Sequence, residues 1–333
     1  MKKYKIASLF SGCGGLDLGF RGGFEFLKKN YPENNFELIW ANDIDKNACL
    51  TYENYFKHPI ACGDIRDILI KTDFISNLSN IDIVLGGFPC QDFSHAGKRK
   101  GFDSERGTLY QAMSNVIMKL KPALFLAENV KGLLTLNNGE AMQQILEDFE
   151  KLGYHVAYKL LLTSNFGVPQ KRERVVIIGT RKDTLPKFKF SQLLHETNRN
   201  LNLEMAIGDL ENIKEGETNN HFWSKAKKNK GQGNTAVLRE RLGPTMRAEH
   251  HGNIEFHWNN TRRLSAREAA RIQSFPDDFI FYPSTSSAYR QIGNAVPPVF
   301  AWHLAHTIEN FMNMHLNSQP IAKTNSHKVE IVA

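Results

Sequence analysis

Along the first 180 residues, short runs of apolar and β-branched residues alternate with segments whose apolar positions recur every three or four residues. Strands and helices alternating in this way build a parallel sheet with helices packed on its faces. The runs predict strands at Ile6 to Phe10, Leu38 to Asn42, Ile81 to Leu85, Leu124 to Ala127, Val156 to Leu162 and Arg174 to Thr180. Met142, Ile145, Leu146 and Phe149 follow i, i+3, i+4, i+7 spacing, which predicts a helix capped by Asn138 and ended by Gly153. Beyond Arg181 the alternation stops, and Asn- and Lys-rich sequence runs to about Asn260 with few convincing elements, as expected where a smaller second domain begins. Ser265 and Glu268 then have the spacing of a capping box, a last helix is expected from about Pro298 to Met314, and the polar tail after it is expected to be disordered.

A chain of 333 residues with 41% hydrophobic content can bury a full core, and its length suits about two domains. No stretch approaches the roughly 18 uninterrupted apolar residues of a membrane span, and the N-terminus enters a strand rather than a signal peptide. A cytoplasmic protein without a membrane partner is expected. Cys13, Cys49, Cys62 and Cys90 form no Cys-x-x-Cys pair, so neither a metal site nor a disulfide framework is predicted. The net charge of +7 is concentrated: His221 to Arg271 carries eleven Lys or Arg against four Glu. Such a patch suits a phosphate backbone, although a solvated loop around Lys225 to Lys230 gives the same count.

Two ends of a site can be read from the strand termini. Phe10-Ser11-Gly12-Cys13-Gly14-Gly15 follows the first strand and opens a helix, a place where glycines let backbone approach a ligand. Asp17 stands where the dinucleotide fingerprint has its third glycine, and a tight turn without ligand would look similar. Asp43 ends the next strand, placed to accept from ribose hydroxyls, and Gly63-Asp64-Ile65 follows with an acid and an apolar residue that suit adenine. Each acid alone would more often be a helix cap.

At the other end, Gly86-Gly87-Phe88-Pro89-Cys90-Gln91 follows an apolar strand directly. The ordinary reading of a cysteine as a small buried hydrophobe fits Cys49 and Cys62 but not Cys90, whose Gly- and Pro-rich loop offers little core to fill. Glu128 ends the strand Leu124 to Ala127, and in an extended chain Arg172 and Arg174 project to one side. Cysteine, glutamate and two arginines suit an anionic or carbonyl-bearing substrate. A structural ion-pair network would bring the same charges together.

These segments, in this order, resemble the motifs of bacterial DNA (cytosine-5) methyltransferases of the restriction-modification type. The matching stretches are Phe10 to Gly15, Gly86 to Ser94, Glu128 to Val130, Gln170 to Arg174, Arg262 to Phe279 and Tyr289 to Pro298. The resemblance implies an α/β, Rossmann-like S-adenosylmethionine-dependent methyltransferase fold, a mostly parallel sheet with helices on both faces, and a second, smaller DNA-recognition domain. It implies catalysis through a Cys90 thiolate added to carbon 6 of a flipped-out cytosine, Glu128 at N3 and the exocyclic amine, Arg174 at O2, and Arg172 orienting the site. S-adenosyl-L-methionine, leaving as S-adenosyl-L-homocysteine, would be lined by Phe10, Gly12, Gly14, Gly15, Asp43, Ile44, Asp64, Ile65, Pro89, Leu109, Asn294 and Val296. Asp43 stands where many members carry glutamate, which leaves the length of its ribose contact open.

The same resemblance makes Gln91 to Arg106 a mobile loop over DNA, with Ser94, Lys98, Arg99 and Lys100 as contacts. It places target recognition between the arginine motif and Arg262, with Thr245 and Met246 near the base-reading surface. Arg247, Glu249, His250, His251 and Asn253 are candidate base readers by donor and acceptor type. The adjacent histidines lack further ligands at metal spacing. The expected division is 1–182 with 281–318 as a discontinuous catalytic domain, 183–280 as the recognition domain, and 319–333 as a tail. The expected partner is double-stranded DNA, with a cognate restriction endonuclease acting on the same sequence without a stable complex, and the chain is expected to be a monomer. A tRNA methyltransferase of the same family is the first rival, disfavoured because its Cys-Phe-Thr motif needs a cysteine after Cys90. A nicotinamide-dependent oxidoreductase would leave Cys90 unused, and a silent DNA-binding protein would not need the full reactive set.

Overall fold

The computed structural model describes residues 3–71, 78, 80–88, 109–196, 201–228, 233–248 and 253–316. The expected tail 319–333 lies outside them. Seven strands form one sheet: β1 (Tyr4–Leu9), β4 (Phe36–Asp43), β5 (Ala61–Cys62), β6 (Ile83–Gly86), β7 (Leu124–Val130), β8 (Tyr154–Leu162) and β9 (Glu173–Arg181), in the order β5-β4-β1-β6-β7-β9-β8. β5, β4, β1, β6 and β7 are parallel, whereas β9 runs antiparallel to both β7 and β8. The six predicted strands are all present. A two-stranded hairpin, β2 (Phe24–Phe26) with β3 (Lys29–Tyr31), was not anticipated. Its turn residues, Leu27 and Lys28, are left-handed at φ 47° and 61°, where a sequence reader looks for Asn-Gly.

Successive strand residues enter two separate cores, because side chains alternate across a sheet. Ile6, Ile83, Leu85, Leu124, Leu126, Val176 and Ile178 pack on one face with α1 (Gly15–Arg21) and α9 (Pro298–Leu316). Ala7, Val84, Phe125, Ala127, Val175 and Ile177 pack on the other with α4 (Leu109–Leu120) and α5 (Glu140–Lys151). Burial on both faces explains why these strands are apolar runs rather than alternating ones. α9 lies close along α1, since a Cβ on Gly19 would overlap the Ala301 side chain and the Trp302 backbone. Asn138 does not cap α5: it is left-handed at φ 55°, as is Asn137, and the capping position falls to Gly139. The remaining α-helices among the described residues are α2 (Lys46–Phe56), α3 (Ile65–Lys71), α6 (Leu203–Ile207), α7 (Ala266–Ile272) and α8 (Thr285–Asn294).

Between Lys182 and Ser265, α6 is the one α-helix among the described residues, and the rest is irregular chain. Its apolar residues Leu203, Ile207, Val237, Met246, Ile254 and Leu264 join the core on the α1 and α9 face without a break. Irregular backbone carries carbonyls that no ladder satisfies, and burying them unpaired is costly. Arginines satisfy them here. Arg263 donates to the carbonyls of Ala226 (2.7 Å), Gly233 (2.8 Å), Lys227 (3.1 Å) and Ile254, while lying over the Phe256 ring. Arg267 donates to Asn219 (3.0 Å), Pro276 (2.9 Å) and Phe279 (2.7 Å), and burial pushes its guanidinium down to about 10. The predicted capping box is present, with Glu268 also gripping Arg262 at 2.7 and 2.8 Å. The basic segment is therefore only partly a surface. Arg262, Arg263, Arg267 and Arg271 hold the fold together from within, while Lys225, Lys227, Lys228, Arg239, Arg241 and Arg247 point outward.

Beneath the first strand-to-helix turn, the Ser8 hydroxyl donates to Asp17 Oδ1 at 2.6 Å and the Ser11 hydroxyl to Ser8 Oγ at 3.0 Å. Asp17 is fully buried, and loss of water pushes its carboxyl up to about 6, with the Ser8, Tyr52 and Ser11 hydroxyls opposing the shift. A carboxyl raised from an ordinary 3.8 stabilises the fold below that value and loses this contribution as pH rises through 6. The isosteric Asp17→Asn variant has no such titration. Its stability relative to the parent is expected to grow across that window, by up to about 3 kcal/mol, and to level off above it. Urea midpoints measured from about pH 4.5 to about pH 8 check this, and a constant difference would refute it.

Candidate active site and cofactor cleft

The parallel strands diverge from β1, with β4 and β5 on one side and β6 and β7 on the other, so a crevice opens at their carboxyl ends. A single cleft of about 1440 Å³ runs there, lined from Phe10 and Asp43 through Glu128 and Arg174 to Thr245 and Asn294. Small-molecule pockets hold roughly 300–1,000 Å³, so this one has room for a cofactor and a second group.

The turn after β1 is built around Asp43. Its Oδ2 accepts from the Gly12 N–H and its Oδ1 from the Asp45 N–H, both at 2.8 Å, while Ser11 N–H donates to the Asn42 carbonyl. Burial raises the Asp43 carboxyl above its usual range. Phe10 is left-handed at φ 54°, a conformation costly for an aromatic residue and concentrated at functional sites. The glycines divide their tasks in a way the sequence does not reveal. A Cβ on Gly12 would meet nothing, so this residue faces open cleft. Gly14 backs onto Phe56 and Tyr52, and Gly15 onto the Val296 carbonyl, so both serve packing and neither lines the cleft.

Among the other expected cofactor residues, Ile44, Asp64, Ile65, Leu109, Asn294 and Val296 all border the cleft. Ile44 is 65% exposed, an uncovered apolar side chain at the rim, whereas Ile65 is only 1% exposed and belongs to the core. Asp64 is forked by the Arg66 guanidinium, which holds its carboxyl below the usual range. Sequence reading missed Arg290, which spans the cleft from α8 to Asp45 at 2.8 Å. A lone arginine inside a helical pattern gives no signal of that reach.

At the reacting end, Glu128 and Arg174 sit at diagonal positions of the antiparallel pair β7 and β9, and on the same face. Arg174 forms an ion pair with Glu128, its Nε 2.7 Å from Oε1, and Nη1 donates to the Glu173 carbonyl at 2.8 Å. Burial lowers the Arg174 guanidinium, and Glu128 opposes that shift. Glu128 Oε2 lies 3.3 Å from where a Cβ on Gly87 would sit, so the glycine leaves room beside the carboxylate. Asn129 projects to the opposite face, where its Nδ2 donates to the Phe88 carbonyl at 2.8 Å. The strand thus presents one acid to the cleft and pins the backbone that leads into Pro89 and Cys90.

Arg172 lines the cleft but spends both terminal nitrogens on backbone, while its buried Nε has no partner among the described residues. Nη1 donates to Met246 O at 2.7 Å, and Nη2 to Gly293 O at 2.9 Å and Ala295 O at 3.1 Å. It is 1% exposed, and burial, then Arg174, pushes it well below the usual guanidinium range. Thr245 borders the cleft with its hydroxyl donating to Lys171 O at 2.6 Å, Met246 is buried, and Arg247 is exposed at the cleft wall. Asn253 is away from the cleft, its carbonyl packed against Gly233. Cys13 and Cys49 are buried, but Cys62 is exposed on edge strand β5, contrary to the expectation of a buried hydrophobe. Pro89, Cys90, Ser94, Lys98, Arg99, Lys100, Glu249, His250 and His251 lie outside the described residues. Among the described residues no group of three or more His, Cys, Asp or Glu could hold a metal ion, and no helix is long and apolar enough to cross a membrane.

The family model for C-5 cytosine-specific DNA methylase matches residues 4–240 and 224–310. The chain is 38% identical to Type II methyltransferase M.NgoFVII of Neisseria gonorrhoeae, over 99% of this chain and 90% of that one. It is 36% identical to Type II methyltransferase M.BsuRI of Bacillus subtilis, over 96% and 82% respectively. In fold it is similar to the Dnmt2 methyltransferase of S. pombe, with a TM-score of 0.67 at 16% identity, covering 94% of this chain and 99% of that one. With its sheet order, its cleft at the carboxyl strand ends and its sequence matched across nearly its full length, the chain belongs to the C-5 cytosine-specific DNA methylase family.

Proposed function

We propose that this methyltransferase acts on a cytosine flipped out of double-stranded DNA, with Cys90 as nucleophile and with Glu128 and Arg174 holding the base. The observation that carries this reading is the Glu128–Arg174 pair, fixed at 2.7 Å beside Gly87 and two residues upstream of Pro89-Cys90. A cytosine in a duplex cannot enter such a cleft, so the base leaves the stack. The Cys90 thiolate adds to carbon 6, and the ring gains electron density that carbon 5 can use as a nucleophile. Glu128 accepts from the exocyclic amine and shares a proton with N3, which relieves the charge that addition builds. Arg174, its Nη2 without a protein partner among the described residues, donates to O2. Once carbon 5 has bonded to the methyl group, loss of its proton to water re-forms the 5,6 double bond and expels the Cys90 thiolate.

The cleft residues fit S-adenosyl-L-methionine: an exposed Ile44 suits an adenine face, Asp43 and Asp64 retain lone pairs for hydroxyl or amino donors, and Gly12 leaves open space. When bound, that cofactor supplies a methyl group on a sulfonium. Phe10, Leu109, Asn294 and Val296 would complete its walls. We assign residues 183–280 to target recognition, with Thr245 to Arg247 on the DNA side and the outward lysines and arginines meeting phosphates. The relatives are named Type II methyltransferases, and in keeping with that we assign this chain a role in protecting DNA from a cognate restriction endonuclease; we further propose that it acts in the cytoplasm and as a monomer.

Incubation with methyl-labelled S-adenosylmethionine and either duplex DNA or tRNA tests the substrate: label is expected in DNA, and label in tRNA alone would overturn the proposal. Bisulfite sequencing of DNA from expressing cells then locates the cytosine. Cys90→Ser is expected to abolish transfer while gel-shift affinity for DNA persists; full turnover would exclude a covalent route. For Glu128→Gln a rate loss of about 10²–10⁴ is expected with S-adenosylhomocysteine affinity nearly unchanged. Unaltered single-turnover rates would remove Glu128 from the chemistry.

A further inference from the structure

Two stretches of chain that the proposed function gives to different ligands are bonded to each other through three buried side chains. One is Thr245 to Ala248, on the DNA side. The other is Ile292 to Val296, on the cofactor side. Arg172 donates to Met246 O from one end of its guanidinium and to Gly293 O and Ala295 O from the other. Gln170 Oε1 accepts from the Met246 N–H at 2.9 Å, and its Nε2 donates to Gln273 Oε1. Gln273 Nε2 continues the chain to Ile292 O at 2.9 Å and Ala295 O at 2.8 Å. Both polar backbone groups of Met246 are thus held by side chains tied to the cofactor wall, Arg172 directly and Gln170 through Gln273. Gly293 adds a direct contact, because a Cβ there would overlap the Arg247–Ala248 peptide.

We propose that Gln170, Arg172 and Gln273 are positioning residues that make binding of DNA and of cofactor cooperative. The inference rests on the assignment of 245–247 to DNA and 294–296 to cofactor. The physical reason is the burial of the ties: Gln170, Arg172 and Gln273 are at most 1% exposed. Shifting the Met246 segment alone would strand buried donors and carbonyls without water to replace their partners, a loss larger than the net worth of any one bond. The low-energy response is for both segments to move, or to become fixed, together. A ligand that orders one wall therefore removes part of the ordering cost for the other, and the effect is equal in both directions. Gln170 and Gln273 do not line the cleft, so their removal should change the coupling more than either affinity alone.

Calorimetric titration of the full-length protein with S-adenosylhomocysteine, with and without a short duplex containing the bisulfite-mapped site, measures the coupling factor. The parent protein is expected to bind the cofactor product about 5-fold or more tightly with the duplex present. Gln273→Met, which keeps length and loses both donors, and Gln170→Met, which loses the acceptor for the Met246 amide, are expected to bring that factor close to one. Each ligand alone should still bind, and a melting curve establishes that the variant is folded. A parent factor of one, or variants that keep the parent factor, overturns the proposal. Hydrogen exchange on the parent gives a reading independent of variant folding: S-adenosylhomocysteine alone should slow exchange of the Met246 amide, and unchanged exchange there also refutes the coupling. If either ligand fails to bind the parent at all, the site assignment itself has failed, which is a distinct result.

Discussion

The structure depends on one requirement, that carbonyls of irregular chain be satisfied when the chain is folded against a core. In the sheet the ladder meets it without help. In the irregular chain after Lys182 arginine helps to meet it: Arg263 and Arg267 each close three or more backbone carbonyls, and Arg172 closes three more at the border with the cleft. Lysine could not do the same, since its single ammonium has no planar fork to reach several separated acceptors. The depressed guanidiniums at Arg172 and Arg267 record the cost of taking these charges out of water. Several charge-assisted bonds per side chain offset that cost, whereas one or two would not.

This division explains what could be read from the chain. Strands were legible because β1, β6, β7 and β9 are buried on both faces and so appear as unbroken apolar runs. The capping box at Ser265 was legible because both partners lie within one turn. The irregular segment after Lys182 was opaque because its order comes from bonds between distant residues, such as Arg263 to Gly233, 30 positions apart, and Arg172 to Met246, 74 positions apart. No periodicity encodes them. Counting charge misled for the same reason, since an arginine that binds carbonyls inside the fold looks identical in sequence to one that awaits a phosphate. Glycines carried the same ambiguity: of the three in the first turn, Gly12 faces the cleft and Gly14 and Gly15 accommodate neighbouring side chains and backbone.

At the reacting end, legibility stopped at residue type. Glu128 was recognisable as a carboxylate ending an apolar strand. Asn129 was not singled out, although strand alternation sends it to the opposite face, where it fixes the Phe88 carbonyl. In the reaction we propose, two adjacent residues therefore hold its two partners in register: the acid assigned to the base, and the backbone that leads to the assigned nucleophile. Gln170 and Gln273 were passed over similarly, as neutral amides within motifs dominated by arginine.

Asp43 shows what such internal bonding means for ligand affinity. Its carboxylate is already engaged by the Gly12 and Asp45 amides, so the turn after β1 and the start of α2 share one anchor before anything enters the cleft. A longer glutamate would have to fold back to make both contacts. In the complex we propose, the shorter acid trades reach toward a ribose for a wall that arrives preformed, and the conformational entropy lost on binding is correspondingly confined to the ligand and to other parts of the chain.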